Sequence, residues 1–450
     1  MENLSEQDLN RREPVGTADK RWTVLFIFLV SMVTFLDRVN ISIAGVPIAR
    51  EYGLNHIQLG AIFSAFAIGY TILQMPAGWL GDHFGQKRVL VLALVWWSVF
   101  TALTARAGEG FLAGLVGIVP AFCVVRFLLG IGEAATLPCS NGIITNWFTP
   151  DERGWPAGVM LAGVGVGSAV TPPLVSWIMV HWGWGSAFDI CAAIGILLAL
   201  CFHFRVSERP SSDIGNANHP RLTARSVDTS RIAGERVPQG SPDLREAPWR
   251  QIFRVPALWL LTLGIALFGY VAYLYYFWFY LYLVNIRGIP AVRSSFFTTL
   301  PFLAMAVGAP LGGWLGDHWI PRLGRMRARR NVAIAGLLSA SVLLCCGAEI
   351  QDPFIAIGCL SLAAGSAYIA NSSYWATAPD ICPSFSAMVT GTMNTGANLG
   401  GAVSAILTPW VAARLGWVAA LALAAVASVV AAILWIFTKV PRTEYATPSN

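Results

Sequence analysis

Long apolar stretches, separated by short polar connections, run through most of the chain without regular polar alternation. Each stretch is close to the roughly 20 residues that an α-helix needs to cross the hydrocarbon core of a bilayer. Barrel strands are much shorter, and a single helix satisfies its own backbone hydrogen bonds in lipid. We therefore predict an all-α membrane protein with twelve transmembrane helices, at residues 22–44, 58–79, 88–106, 112–137, 155–178, 187–205, 256–284, 294–316, 331–349, 353–374, 386–410 and 416–438.

The composition supports a membrane location and excludes several kinds of site. Hydrophobic residues make up 56% of the 450 residues and charged residues only 12%, with a mean hydropathy of +0.60. Soluble domains carry about 25% charged residues, so this chain could not cover a soluble surface. The eight cysteines and six histidines show no ligand or disulfide spacing, and we expect no metal and no cofactor.

The positions of Lys and Arg predict the orientation of the helices. Of the 30 basic residues, two lie within spans, and the proposed inner side holds most of the rest. Basic residues accumulate in cytoplasmic loops, so we expect a multi-pass protein of the cytoplasmic (inner) membrane with both termini inside. The net charge of +6 follows from this bias and does not indicate nucleic-acid binding. The basic residues on the predicted outer side are Arg50, Arg106, Arg287, Arg293 and Arg414.

A polar stretch interrupts the apolar pattern near the middle of the chain. It is rich in Ser, Pro, Arg, Asp and Asn and has no apolar period, which is typical of a flexible linker. The predicted regions are a cytoplasmic N-terminal tail at 1–21, an N-terminal six-helix half at 22–205, a cytoplasmic linker at 206–248, a C-terminal six-helix half at 249–438 and a cytoplasmic C-terminal tail at 439–450.

The two predicted halves share a short repeated sequence. Gly-Trp-Leu-Gly-Asp-His occurs at 78–83 and again at 313–318, each time after the second helix of a half and before basic residues. Repeats in register indicate pseudo-symmetric halves, a plan in which transport sites lie between the repeats. Two weaker echoes have a similar offset, Pro-Asp at 150–151 and 379–380 and Thr-Pro at 171–172 and 408–409.

The first copy of this repeat, extended to Arg88, resembles the motif between the second and third helices of the major facilitator superfamily. Gly81 and Gly85 permit a tight turn, and Asp82 can accept hydrogen bonds at a neighbouring helix N-terminus. The second copy is degenerate after His318. The resemblance implies a latch that holds the outward-open state, and the alternative is a solvated loop. The predicted latch residues are Gly78, Gly81, Asp82, Gly85, Arg88 and Asp317.

Four further segments resemble the anion:cation symporter branch of that superfamily, which carries organic anions such as sugar acids. They are Leu-Asp-Arg-Val-Asn at 36–40, Arg-Phe-Leu-Leu-Gly-Ile-Gly-Glu-Ala at 126–134, Trp-Phe-Thr-Pro-Asp-Glu-Arg at 147–153, and 391–401 in the eleventh span. The resemblance extends from Trp22 to about Lys439. It implies the twelve-helix major facilitator fold.

Four ionisable residues lie deep in predicted spans of the first half: Asp37, Arg38, Arg126 and Glu133. Each costs about 2.5–3.5 kcal/mol at a span centre, so they should face one another or a wet cavity. Arg126 and Glu133 are seven residues apart and share a helix face, which favours pairing between them. The alternative is a static ion-pair network that only fixes helix packing.

The two kinds of charge suit two different tasks. A carboxyl group in a low-dielectric cavity can titrate, so Asp37 and Glu133 are expected to carry the coupling protons. An arginine stays charged and can hold a carboxylate with two hydrogen bonds, so Arg38 or Arg126 is expected to bind the substrate. The branch resemblance implies the same roles at these positions.

The resemblance also implies polar cavity positions at Tyr70, Ser372, Trp375 and Asn394, although interhelical hydrogen bonding or packing would equally explain them. Tyr273 and Tyr276, together with Tyr280, form a stripe on the seventh helix that is a candidate substrate contact, with packing or gate lining as the more common alternatives. The sequence departs from sugar-acid carriers in three places, which leaves the identity of the anion open: Val164 replaces a polar residue, Tyr280 a proline and Asp189 an aromatic residue.

The leading hypothesis is import of a small organic anion, a sugar acid such as an aldonate, aldarate or hexuronate, by symport with protons through alternating access. The expected partners are the anion, protons and the lipid bilayer, and the protein is expected to act as a monomer. Uncoupled uniport, export of another small molecule and a solute sensor of the same fold stay open. No catalytic motif occurs in the spans, so an enzyme is not expected.

Overall fold

A computed structural model describes residues 17–209 and 252–440. Most of the predicted N-terminal tail, nearly all of the predicted linker and most of the predicted C-terminal tail lie outside these described residues. Every regular element in the described ranges is helical, which confirms the predicted all-α class. We number the long helices in chain order, and we call their ends inner and outer according to the orientation predicted from the basic residues.

The first six long helices alternate in direction through the predicted membrane. A short helix, Phe111–Val116, precedes α4, which is continuous except for a turn at Ala134 and Ala135. The bounds are α1 Thr17–Tyr52, α2 His56–Phe84, α3 Gln86–Thr104, α4 Ile118–Glu133 and Thr136–Trp147, α5 Gly154–Trp182, and α6 Trp184–Arg205.

The last six long helices follow the same order. Helix α7 is extended by a short helix, Phe279–Asn285, and two short 3-10 turns connect α10 to α11. The bounds are α7 Pro256–Phe277, α8 Ala291–Leu323, α9 Arg325–Glu349, α10 Pro353–Thr377, α11 Ser386–Leu415 and α12 Trp417–Phe437.

Eleven of the described helices are long and apolar enough to cross a membrane, and α11 is the exception. Helix α11 has 30 residues, which is ample length, but Thr392, Asn394 and several glycines lower its hydropathy. These residues are buried against other helices, so they do not meet lipid. The twelve predicted spans all correspond to helices. Hydropathy alone underrates α11, which packs against the first six helices through its polar residues and glycines.

The most extensive contacts between the first six helices and the last six are those of α5 with α8 and of α2 with α11. Glycines permit these close approaches: a Cβ on Gly78 would collide with the backbone carbonyl of Ala387, and one on Gly158 with the carbonyl of Ala309. The middle segments of α1, α2, α4, α7 and α11 thereby surround one region, and this region contains most of the predicted site residues.

Candidate functional site

Glu133 forms its ion pair with Arg38, which lies on a different helix. The Arg38 Nε–H donates to Glu133 Oε2 across 2.9 Å, and the side chains are 12% and 0% exposed. The seven-residue spacing predicted Arg126 as the partner, and for this conformation that pairing is wrong. Helix α1 packs on the inner segment of α4, so Arg38 reaches Glu133 from across the helix interface.

Aromatic rings surround the Arg38 guanidinium. Its central carbon lies 3.8 Å from the centre of the Tyr70 ring, 4.7 Å from Phe35 and 5.4 Å from Phe66. The Arg126 guanidinium also lies close to the Phe66 ring, 4.8 Å from its centre. Arginine is attracted to aromatic faces, more strongly where water is excluded. The Phe66 ring therefore contacts both guanidinium groups.

Several charged atoms of this cluster have no hydrogen-bond partner within residues 17–209 and 252–440. They include both carboxylate oxygens of Asp37, Nε and Nη1 of Arg126, Nη2 of Arg38 and Oε1 of Glu133. Asp37 lies in the electrostatic field of both Glu133 and Arg126. A static network that only fixed packing would satisfy these atoms, because an unpaired buried charge is strongly unfavourable. The arrangement is better suited to groups that gain a proton or a ligand.

The last six helices face this cluster with phenols and amides. The Tyr273 hydroxyl donates to Asn398 Oδ1 at 2.7 Å, and the Tyr276 and Tyr368 hydroxyl oxygens are 3.2 Å apart. The Tyr276 ring centre is 6.1 Å from that of Phe35, which places this wall opposite Arg38. Tyr273 and Tyr276, both predicted as candidate contacts, therefore lie at the cluster.

Tyr70 and Asn394 join the two sets of six helices at the same level. The Asn394 Nδ2 donates to the Tyr70 hydroxyl at 3.4 Å, between α2 and α11. Both residues are almost fully buried. Of the candidates proposed from the family resemblance, these two meet the Arg38 environment directly.

Ser372 and Trp375 are occupied elsewhere in this conformation. The Ser372 hydroxyl makes a short hydrogen bond to the Ala309 carbonyl, between α10 and α8. The Trp375 carbonyl accepts a hydrogen bond from Asn141 Nδ2 at 3.1 Å, and its indole is buried. Both residues help to pack α10 against its neighbours, and their hydrogen bonds among the described residues go to Ala309 and Asn141 and not to Arg38 or Glu133.

Sequence reasoning missed several residues of the site: Phe35, Phe66, Tyr368 and Asn398. Asn398 lies one turn after Asn394, so helical spacing could have indicated it. The phenylalanines carry no signal of this kind, because an apolar ring that faces a guanidinium and one that faces lipid look the same in a sequence.

The first copy of the repeated motif lies at the inner ends of α2 and α11. Asp82 accepts hydrogen bonds from the backbone N–H groups of Ala387, at 3.1 Å, and Met388, at 2.7 Å, where α11 begins. Gln86 Nε2 donates to the same carboxylate at 3.1 Å. The free N–H groups and dipole of a helix N-terminus favour a carboxylate at this place. Gly85 has a φ of 99°, which glycine adopts without strain.

The second copy makes the corresponding contact on the other side of the molecule. Asp317 accepts from the backbone N–H groups of Gly154, at 3.0 Å, and Trp155, at 2.8 Å, where α5 begins. Asp380 adds ion pairs with Arg153, at 3.1 Å, and Arg329, at 2.9 Å. The inner ends of the two sets of six helices are thus tied together twice by the same device. Arg88 is exposed and forms none of the ion pairs among the described residues.

Glu208, just after α6, supports the first of these contacts. Its carboxylate accepts from the backbone N–H groups of Gln86 and Lys87, each at 2.8 Å, at the start of α3. Burial raises the pKa of Glu208, and the two backbone N–H groups oppose this shift. Asn146 on α4 donates to Gln86 Oε1 at 3.0 Å, so α3, α4 and the end of α6 meet beside Asp82.

Comparison with known proteins extends these observations. The family model described as Major Facilitator Superfamily matches residues 27–328 and 298–450. The probable sulfoacetate transporter SauU of Cupriavidus necator is 33% identical over 394 residues, covering 86% of each chain. The D-galactonate transporter of Escherichia coli is 29% identical and covers 92% of this chain and 94% of its own. The solved structure of the proton:xylose symporter XylE is similar in fold, with a TM-score of 0.72, 14% identity and coverage of 94% of this chain and 96% of that one.

Proposed function

The chain belongs to the major facilitator superfamily as a membrane transporter of anions and is not an enzyme, and on this premise we propose that it imports a small organic anion together with protons. The two sets of six helices rock against each other to expose the central site to one side of the membrane and then the other. We place the protein in the inner membrane, as a monomer with cytoplasmic termini.

The observation that carries this proposal is the incomplete pairing of two acids with two guanidinium groups. With both carboxyl groups ionised, the charges of Asp37, Arg38, Arg126 and Glu133 cancel. Each proton that binds an acid leaves one more uncompensated positive charge in a medium of low dielectric constant, where it attracts an anion strongly. Protonation of Glu133 also frees Arg38 to bind the carboxylate of the substrate. Proton and anion binding therefore favour each other.

The two copies of the motif are proposed to hold the outward-open state. Asp82 and Asp317 each bind the first N–H groups of a helix from the opposite set, so both contacts must break before the inner side opens. Gly78, Gly81 and Gly85 allow the helices to approach and turn at this point. The remaining predicted member, Arg88, forms no ion pair within residues 17–209 and 252–440.

Sugar acids are the expected cargo, and the D-galactonate transporter among the relatives supports them. A second candidate is a compact sulfonated or dicarboxylated anion, which the relationship to a probable sulfoacetate transporter favours. Val164 is buried and apolar where sugar-acid carriers often have a polar side chain, and the α7 phenols Tyr273 and Tyr276 already bond to Asn398 of α11 and to Tyr368 of α10. This pattern offers fewer hydrogen bonds to a polyol.

Uptake into proteoliposomes with an acidic exterior tests the proposal. We expect accumulation of at least one anion from a panel of D-galactonate, glucarate, glucuronate and sulfoacetate. Glu133→Gln should lose accumulation driven by the pH gradient, whereas Glu349→Gln, an exposed acid at the end of α9, should retain it. Unchanged pH-driven accumulation in Glu133→Gln would contradict the proton role, and no uptake of any anion by the wild type would contradict import.

A further inference from the structure

A second group of polar side chains is buried beside Asp37, inside the first six helices. It comprises Asn40 on α1 and Trp97, Ser98 and Thr101 on α3, each no more than 1% exposed. In the part of the chain that the structure describes, Asn40 Oδ1, Trp97 Nε1, Ser98 Oγ and Thr101 Oγ1 all lack a hydrogen-bond partner. The Trp97 indole faces the Asp37 carboxylate without reaching good hydrogen-bond geometry.

The two hydroxyl groups on α3 are not satisfied within their own helix, and the same is true of Ser31, Thr136, Ser140 and several other buried hydroxyl groups in the described residues. Thr34, Thr104 and Ser168 each donate to the carbonyl oxygen four residues earlier in their own helix, at 2.8 to 2.9 Å. That local bond is the usual way to satisfy a hydroxyl within a helix. Ser98 and Thr101 do not make it. An unbonded buried hydroxyl is unfavourable, so these groups are expected to bond to something that enters the space between the helices.

These side chains form a column between α1, α3 and α6. Asn40 is one turn beyond Asp37 on α1, and Thr101 is one turn beyond Ser98 on α3, in both cases toward the outer end. Asn40 Nδ2 contacts Cys191 Sγ on α6 at 3.5 Å. A Cβ on Gly195 of α6 would collide with the Ser98 hydroxyl, so this hydroxyl also faces α6.

The column ends near an ion pair at the outer surface. Arg106, just beyond α3, donates to both carboxylate oxygens of Asp189 on α6, at 2.6 and 3.0 Å. Both side chains are exposed, with 61% and 42% accessible. Arg106 is five residues after Thr101, a rise of about 7.5 Å at helical spacing. The ion pair therefore joins α6 to the end of α3, the same two helices that enclose the column, at their outer ends.

The column is separate from the place where the anion would bind. Arg38 points to the rings of Tyr70, Phe35 and Phe66, whereas adjacent residues on a helix diverge by about 100°. The charged and titratable groups that face Asp37 are Glu133 and Arg126 on α4 and Cys191 on α6. Helix α3 contributes the uncharged groups of the column, and the membrane part of α5 has no titratable side chain.

We propose that protons reach Asp37 through this column, along water molecules bound by Asn40, Ser98 and Thr101, while the anion enters through the chamber that contains Arg38. The inference rests on the proposed proton symport. Water bound to three or four polar groups satisfies the unpartnered atoms, and a chain of such bonds passes a proton without movement of the side chains. Separate entrances allow a proton to bind Asp37 while an anion occupies the chamber.

The test uses the double variant Ser98→Ala/Thr101→Val in proteoliposomes, with Thr34→Val as a matched control whose hydroxyl bonds to its own helix. Two rates are compared: anion uptake driven by a pH gradient, and exchange of labelled for unlabelled anion at equal pH. Exchange needs no release of the proton. We expect gradient-driven uptake to fall by roughly tenfold or more, as for loss of a positioned proton-transfer group, with exchange nearly unchanged. Thr34→Val should leave both rates unchanged.

Equal loss of both rates in the double variant would show a structural role and overturn the inference. Two unchanged rates would also overturn it, because they would show that the hydroxyl groups are not needed for proton passage. Thr101→Ser keeps the hydroxyl and should retain gradient-driven uptake, both alone and combined with Ser98→Ala. This variant distinguishes loss of proton passage from loss of folding. A wild-type protein that exchanges anion but shows no gradient-driven uptake would instead contradict the proposed symport itself.

Discussion

The first six helices and the last six make matching contacts through the repeated motif, but they supply different kinds of side chain to the central site. Both copies of the repeated motif place an aspartate on the N-terminus of a helix from the opposite set, with nearly equal distances. At the centre, however, the first six helices supply two acids and two guanidinium groups, whereas α7, α10 and α11 supply phenols and amides. The motif contacts are therefore repeated in both sets of helices, whereas the two acids and two guanidinium groups at the centre all lie in the first six helices.

The largest effect is expected from Arg38→Ala. This change leaves Glu133 buried without its partner, and breaking a buried pair in this way costs about 3–5 kcal/mol. Uptake should be lost, and the melting temperature should fall. Adding Glu133→Gln to Arg38→Ala should restore part of the melting temperature but no uptake, as measured by thermal unfolding and transport. A double variant that transports would show that Arg38 does not bind the anion.

The equivalence of the two motif contacts can be tested by adding a methyl group at either motif. A Cβ on Gly78 would collide with the Ala387 carbonyl, and one on Gly313 with the Gly154 carbonyl. Gly78→Ala and Gly313→Ala should therefore both open the inner side, with comparable increases in labelling of cysteines introduced beside α2 and α11. Gly358→Ala, where a Cβ meets open space, is the control. An effect at only one motif would contradict two equivalent contacts.

A moderate effect is expected from Tyr273→Phe on the uncharged wall. It removes the hydrogen bond to Asn398, worth about 0.5–1.5 kcal/mol, but keeps the aromatic ring. Anion affinity should fall by several-fold while the dependence of uptake on the pH gradient is retained. Measured affinity and gradient dependence that change together would show that the phenol also takes part in proton coupling.

The smallest effect is expected from Arg88→Gln. Arg88 is exposed, and exposed substitutions of this kind change stability by less than about 0.5 kcal/mol. Uptake and inner-side labelling should match the wild type. If Arg88→Gln resembled Gly78→Ala, the role that the family resemblance implies for Arg88 would hold, and this conformation would be missing its partner.

The helices were predictable because lipid demands long apolar runs, and the pattern located all twelve. Their ends were less predictable: α4 continues ten residues past the predicted end at residue 137, because Ser140 and Asn141 are buried against protein and not against lipid. The motif contacts followed from the preference of carboxylates for helix N-termini.

The central site was predictable in its charges and not in its pairings. Helical spacing relates residues on one helix, so it suggested Arg126 for Glu133, whereas the packing of α1 on α4 selected Arg38. The family resemblance placed Tyr70 and Asn394 at the site. It also proposed Ser372 and Trp375, whose hydroxyl and carbonyl groups bond to α8 and α4 in this conformation. Which residues pair across two helices depends on how the helices pack, and the spacing of residues in a single sequence does not show this.

The most direct measurement records anion and proton entry together in proteoliposomes, for the wild type, Asp37→Asn, Glu133→Gln and Glu349→Gln. The account predicts that the wild type and Glu349→Gln acidify the vesicle interior in step with anion uptake. Each cluster variant should carry fewer protons per anion than the wild type, because one of the two acids is lost. A wild-type ratio of protons to anion in either Asp37→Asn or Glu133→Gln would contradict the assignment of the coupling protons to these two acids.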